Sequence, residues 1–330
     1  MLQQAIASAQ SAGRDTDVIV VDDASTDATA TICKSLPGIT YLRIEENVGQ
    51  AQARNVGIAN SSGEYLAFLD DDDLRLPGSI DKQAEILSRH KDVGFVYGKT
   101  FRADPNTCES TNELRPKHCP VGDIFWQLLG GNFIYSPSVL VRRRSFEAVG
   151  LFDPDPGLRG AEDWDAWIRL AADYTVDAID EPVATYRDFS PTSGQTSSNR
   201  PRMCRASART LAKALRSARG LEREPAASKK LWTDYSNLLW ENLVREGRRA
   251  LSARQYHYAA TNFATAIQLR PARAARFGAV SHFTMDAIRA VRKNAIAFAD
   301  EPRWTAANRH PMTAAVRSIE TVLAKENHDA

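Results

Sequence analysis

Four consecutive aspartates, Asp70, Asp71, Asp72 and Asp73, stand directly behind an apolar run, Tyr65-Leu66-Ala67-Phe68-Leu69. A run of that length and character reads as a short buried strand. Four adjacent carboxylates repel one another, so the chain must leave the sheet where they begin. Hard divalent ions take carboxylate oxygens and bridge to substrate phosphates, and ligands of open α/β sheets bind beyond the carboxyl ends of the strands. Two readings follow: a cation and phosphate site at a strand end, or a solvated acidic loop ahead of a helix opened by Pro77 in its first turn.

The segments around this run alternate. Residues 17–22 are a β-branched run closed by a second acid pair, Asp22 and Asp23, and followed by a helical stretch to Leu36. Residues 39–44 predict a strand, 50–60 an Ala-rich helix, 64–69 the strand above and 93–97 another. This βαβα rhythm predicts an α/β domain with a mainly parallel sheet covered by helices. Residues 104–120 carry three prolines and predict a loop or flap; 123–129 predict a helix and 134–141 a strand. An amphipathic helix over 162–172 precedes two short strands, 175–179 and 182–186. The Ser/Thr/Gly/Pro stretch 190–201 marks a domain boundary, with one domain over residues 1–198 and a second over 199–330.

The whole chain carries a formal charge of +1, which argues against a strongly basic nucleic-acid binder. That near-neutrality is a cancellation: residues 1–198 hold 18 Lys+Arg against 30 Asp+Glu, and residues 199–330 hold 24 against 11. Such asymmetry fits two halves that dock on each other, or a basic half with a membrane or polyanion partner. Residues 199–330 are helical in pattern. Gly247, Ala259, Phe263, Ala266 and Pro271 match packing positions of one tetratricopeptide-like hairpin, which a plain packed helix pair would also explain. The four cysteines show no CxxC pair, arguing against a zinc site. The uncharged run 124–141 is interrupted by glycines, Gln127, Asn132 and Pro137, so it reads as buried in a soluble fold, and no transmembrane helix is expected. Without an apolar leader at the start, a reduced cytoplasmic protein is expected.

Three further groups carry chemistry. Asp22 and Asp23 could hold ribose hydroxyls or the polar edge of a base; equally, Asp23 or Ser25 could cap the following helix. Arg54 lies one turn into the helix after Gly49, within reach of a pyrophosphate. Glu162 and Asp163 open the amphipathic helix, where a carboxylate can take a proton from an attacking hydroxyl or simply complement the helix dipole.

Taken together, the stretches VIVVDDASTDAT, ENVGQAQARNVGIANSSGEYLAFLDDDDLRLPGSI and NFIYSPSVLVRRRSFEAVGLFDPDPGLRGAEDWDAWIRLA resemble glycosyltransferase family 2, the inverting nucleotide-sugar transferases of GT-A fold. The resemblance covers about 190 residues. It implies a GT-A mixed sheet with helices on both faces, followed by a smaller all-α domain. It implies that Asp22 and Asp23 hold the donor nucleoside and that Arg54 lies near its phosphates. Asp70 and Asp72 match the DxD motif, with Asp72 the direct metal ligand and Asp71 or Asp73 supporting. Asp163 matches the general base, with Glu162 beside it.

The cofactor implied is Mn2+ or Mg2+, the donor a UDP-sugar first, and the acceptor a cell-envelope glycan or lipid-linked hydroxyl. Residues 199–330 would then rest peripherally on an anionic inner membrane face. Two departures stand out. Family members begin with a strand ahead of the helix that resembles residues 2–10, so the resemblance implies an upstream start codon, or else a truncated, inactive scaffold that binds nucleotide-sugars or partners. Phe189 takes the place where many relatives carry a histidine that completes the metal site. The QxxRW motif of processive synthases is missing, which favours single additions. A DxD phosphatase would need a nucleophilic aspartate on the first strand and a supporting lysine, and neither can be placed.

Overall fold

The computed structural model describes residues 1–104, 110–187, 199–270 and Arg273. It divides into two compact units, Met1–Ser198 and Asn199–Ala330.

In the first unit α1 (Leu2–Ser11) leads to β1 (Val18–Asp23), α2 (Thr29–Ser35), β2 (Ile39–Ile44) and α3 (Gln50–Ala59). Next come β3 (Tyr65–Ala67), β4 (Leu74–Arg75), α4 (Ser79–Arg89), β5 (Val93–Ala103) and β6 (Ser110–Arg115). The unit closes with α5 (Phe125–Leu129), β7 (Leu140–Arg142), α6 (Arg143–Val149), α7 (Glu162–Asp173) and β8 (Thr175–Arg187). β1 and β2 pair in parallel, in a register that sets Asp22 opposite Arg43. The other strands form a six-stranded sheet in the order β3-β7-β5-β8-β4, with β6 on β5.

This sheet is mixed, where the strand–helix rhythm predicts a mainly parallel one. β5 and β8 are parallel, but β3–β7, β4–β8, β5–β6 and β5–β7 are antiparallel. Only β5–β6 is a hairpin with the short connection that an antiparallel pair allows; the other antiparallel pairs bring together strands far apart in the chain. Several local expectations are corrected as well. The stretch 104–120 includes a strand, β6, and the two strands expected at 175–186 are one thirteen-residue strand with Pro182 inside it. The strand expected over 134–141 contracts to Leu140–Arg142 behind a 3-10 turn at Ser136–Ser138. Pro77 stands ahead of the α4 cap, Gly78, whose φ of 69° suits glycine.

α7 buries Trp164, Trp167, Ile168, Leu170 and Ala171 along one stripe, the spacing of an amphipathic helix on a sheet. Trp167 lies 5.8 Å from Phe95 of β5 and 6.1 Å from Phe152, and Phe152 meets Phe68 edge-on at 4.8 Å. Each such ring pair contributes about 0.5–1.5 kcal/mol beyond burial. Phe68 is two residues ahead of Asp70, so this aromatic floor fixes where the acidic run starts. α7 passes into β8 with Tyr174 alone between them, and Tyr174 packs on Gly94, where an added Cβ would sit 2.6 Å from the tyrosine Cβ.

The second unit is helical over its described residues: α8 (Arg200–Arg216), α9 (Ala218–Leu221), α10 (Pro225–Ser252) and α11 (Tyr256–Leu269). α10 and α11 form a hairpin in which a Cβ on Gly247 would come within 2.8 Å of the Phe263 ring. Ala259 and Ala266 are buried on α11, whereas Pro271 lies outside the described residues. Among the described residues no helix is long and apolar enough to cross a membrane.

Candidate active site

The β1 end is built around Asp22. Its carboxylate is buried and accepts from Ser25 N–H at 2.8 Å, Tyr41 Oη at 2.6 Å and Arg43 Nη1 at 2.6 Å. Tyr41 and Arg43 stand two apart on β2 and so share a face. Burial alone would raise the Asp22 pKa, but the bonds from Tyr41 and Ser25 and the Arg43 charge outweigh it and hold the group down at about 2. Ala24 turns the chain here with φ of 61°, a region unusual for a residue with a Cβ.

Asp23 points the other way and accepts the backbone N–H groups of Val48 and Gly49, both at 2.8 Å, while Asn47 Nδ2 reaches its carbonyl at 3.1 Å. The capping role read for Asp23 or Ser25 is therefore not what the structure shows. α2 starts at Thr29, and Asp27 accepts from its N–H and hydroxyl. Asp22 instead contributes to acid resistance: a carboxylate whose folded pKa lies below its unfolded value of 3.8 stabilises above that value and loses the effect as pH falls towards 2. Against Asp22→Asn, wild type is expected to lead by about 2 kcal/mol at pH 7. Urea midpoints measured from pH 7 to pH 2.5 should show the gap closing below about pH 4. A pH-independent gap would remove this role.

Arg54 joins the remaining acids. From the first turns of α3 its Nη2 donates to Asp70 at 2.7 Å and its Nη1 to Glu162 at 3.2 Å, with the guanidinium over the Phe152 ring at 5.3 Å. Burial opposes its charge, but Asp70 and Glu162 more than compensate, and its pKa is raised. Glu162 also accepts from Gly160 N–H at 2.6 Å. One arginine thus ties the strand-end acids to the start of α7.

Within the acidic run each residue differs. Asp71 is exposed, Asp72 half-buried and Asp73 buried. Asp73 Oδ1 accepts from Arg187 N–H at 2.8 Å, while its Oδ2 is buried with no partner. Burial first, then the Asp70 charge, pushes its carboxyl well above the usual range. Among the described residues no three His, Cys, Asp or Glu side chains gather as a metal cage. Asp188 and Phe189 lie outside the described residues.

Asp163 is half-buried at the start of α7. Its Oδ1 accepts from Trp164 N–H at 2.6 Å and its Oδ2 from Asn132 Nδ2 at 3.3 Å. Burial, then the Glu162 charge, raises its pKa to about 7, with Arg54 pulling the other way. That is the value a general base needs near neutral pH. Asp165, in the same motif, is committed elsewhere: it pairs with Arg169 at 2.8 Å, which in turn donates to the Leu151 carbonyl. Sequence reasoning did not single out Asn132, Tyr41 or Phe152 as site residues. A residue spacing of two between Tyr41 and Arg43, set beside the acid pair on a parallel neighbour, is the signal that could have found Tyr41.

Strand-end acids, an arginine on the following helix and an acid pair opening a helix across the sheet define a domain of the GT-A class. Solved structures agree on the fold: Staphylococcus aureus TarS 1–349, crystallised in complex with UDP-GlcNAc, superposes with a TM-score of 0.54 at 17% identity, covering 82% of this chain and 78% of that one. The family model for glycosyl transferase family 2 matches residues 1–150, most of the N-terminal unit. An uncharacterized glycosyltransferase of Haemophilus influenzae is 30% identical over 183 residues, 52% of this chain and 58% of that protein. Bacillus subtilis TuaG, assigned by name to teichuronic acid biosynthesis, is 27% identical over 176 residues, 52% of this chain and 67% of its own length. The chain spans roughly half to two thirds of these relatives.

Proposed function

We propose that the N-terminal unit is an inverting glycosyltransferase that moves a sugar from a nucleotide-sugar donor to an acceptor hydroxyl. The observation that carries this reading is the Asp163 carboxylate, raised to about 7, beside the Glu162–Arg54–Asp70 bridge that brings the strand-end acids to it. Asp163 takes the acceptor proton as the hydroxyl attacks the anomeric carbon, and Asn132 holds its second oxygen in place. Arg54 sits where it can meet the donor phosphates, and Asp23 shapes the 47–49 turn beside the nucleoside.

A divalent ion, Mn2+ or Mg2+, fits this chemistry on the strength of Asp73 Oδ2, a buried carboxylate oxygen without a partner. Asp70, Asp72 and Asp73 are the residues that would hold it. With no protein-only cage among the described residues, the shell would be completed by diphosphate oxygens and water, the usual habit of Mg2+. When bound, the ion supplies positive charge against the departing nucleoside diphosphate.

UDP-GlcNAc in TarS and teichuronic acid in TuaG favour a UDP-sugar donor and a cell-envelope acceptor. The basic composition of residues 199–330 suits peripheral attachment to an anionic cytoplasmic leaflet, at about 1 kcal/mol per basic residue near the surface. The test is a panel of UDP-, dTDP- and GDP-sugars with Mn2+ or Mg2+. At least one donor is expected to raise the melting temperature in an ion-dependent way that EDTA reverses, with slow release of nucleoside diphosphate. If every sugar leaves both readouts unchanged with either ion, the enzyme reading fails and a non-catalytic scaffold takes its place.

A further inference from the structure

The loop that enters α7 carries Arg159, for which no hydrogen-bond or ion-pair partner stands among the described residues. Arg159 follows the turn Pro156–Leu158 and precedes Gly160, whose φ is 95°. The loop backbone is tied at each step: Asp155 caps Gly157 N–H at 2.8 Å, Leu158 N–H reaches Asp155 O at 2.9 Å and Ala161 N–H reaches Leu158 O at 2.8 Å. Leu158 is buried, and Gly160 N–H is held by Glu162. From this fixed base the guanidinium lies against Gly49, where an added Cβ would be 3.9 Å from Nε and Cζ. Its Nε is buried and has no hydrogen-bond partner among the described residues.

The neighbouring acids are hydrogen-bonded to other groups. Glu162 is engaged by Arg54 and Gly160 N–H, and Asp23 by the Val48 and Gly49 N–H groups. Arg43 and Arg169, by contrast, each hold a buried aspartate. Buried donors in folded proteins are almost always satisfied, and the exceptions need an explanation. A bound anion is one that also answers the unmatched charge.

We propose that Arg159 binds the diphosphate of the donor at the Gly49 turn; the assignment rests on the nucleotide-sugar reading above. Gly49 is the N-cap of α3, and Arg54 follows five residues later, roughly 7.5 Å of helix rise. Arg159 thus meets the start of α3 and Arg54 stands about one turn further on, and the first turn of α3 itself contains no acid. Arg54 is neutralised by two carboxylates, so Arg159 is the partner that brings net positive charge to the phosphates. Its planar fork can engage two oxygens at once.

The test compares UDP, GDP and dTDP with uridine, guanosine and thymidine by calorimetric titration of the full chain, using wild type, Arg159→Gln and Arg159→Lys. For the diphosphate that wild type binds, Arg159→Gln is expected to weaken affinity about tenfold or more. The matching nucleoside should be unaffected, Arg159→Lys should recover part of the loss, and the ligand-free melting temperature should stay the same. Unchanged diphosphate affinity in Arg159→Gln, or an equal loss for the nucleoside, overturns the assignment. If wild type binds none of the three diphosphates, the donor reading itself fails, an outcome distinct from either of these.

Discussion

Asp163→Asn is expected to lower kcat/KM for transfer by about 10²–10⁴, the usual contribution of a positioned general base, while donor affinity is retained. Wild-type kcat/KM should rise with pH and level off above about 7, following the raised carboxyl; the residual activity of the variant should lose that dependence. The same substitution should raise thermal stability. A carboxyl whose pKa is higher in the folded chain than its ordinary value of 3.8 stabilises only while protonated, and that contribution is lost as pH rises through about 7. The neutral amide avoids the loss, so at pH 8 the melting temperature of Asp163→Asn should exceed that of wild type by a few degrees. Steady-state kinetics and a thermal scan at pH 5.5 and pH 8 check both halves. A variant with full activity would remove Asp163 from the chemistry, and one with a lower melting temperature at pH 8 would contradict its environment.

Arg54→Met is expected to have the largest effect on stability. It removes the one guanidinium bridging Asp70 and Glu162 and leaves the Glu162 carboxylate, only 5% exposed, without its cation. Breaking a buried pair from one side costs about 3–5 kcal/mol, and because the Asp70 side chain is 33% exposed the lower end of that range applies. Arg54→Lys keeps the charge but not the fork, so it should fall between. Adding Glu162→Gln to Arg54→Met should return part of the stability, because the uncompensated charge is then gone. Urea unfolding of the three variants measures this directly. A loss under about 1 kcal/mol, or no recovery in the double variant, would show that the bridge is not what holds α3 to α7.

The sequence made the strand-end acids, Arg54 and the Glu162–Asp163 pair legible because each is a local pattern: an apolar run that stops at carboxylates, or acids opening an amphipathic stripe. What it hid was pairing across distance. Asp23 read equally well as a helix cap, and only the approach of the 47–49 turn decides for the other partner. Arg54 read as a phosphate ligand, while its contacts with Asp70 and Glu162, the latter 108 residues away, depend on the fold. The aromatic floor was hidden for the same reason, since Phe68, Phe95, Phe152 and Trp167 come from four separate segments. The mixed sheet escaped because periodicity predicts strands, not their direction, and short strands such as Tyr65–Ala67 and Leu140–Arg142 show too few residues to reveal their neighbours.

The nearly loop-free passage from α7 into β8 has a consequence for how this fold can vary. Asp163 stands at one end of the segment Glu162–Arg187, and at the other the Arg187 N–H holds Asp73. The segment works like the arm of a caliper, setting the distance between Asp163 and the acidic run. One residue inserted near Tyr174 would rotate α7 by about 100° relative to β8, or reverse the faces of β8. Gly94 packs closely on Tyr174, and the β5–β8 register already shifts there, between Val93 and Phe95. Register shifts against β5 between Ile179 and Ala184 show where β8 already takes up extra residues, so a change of length in the 26 residues 162–187 is tolerated there rather than at the α7 junction.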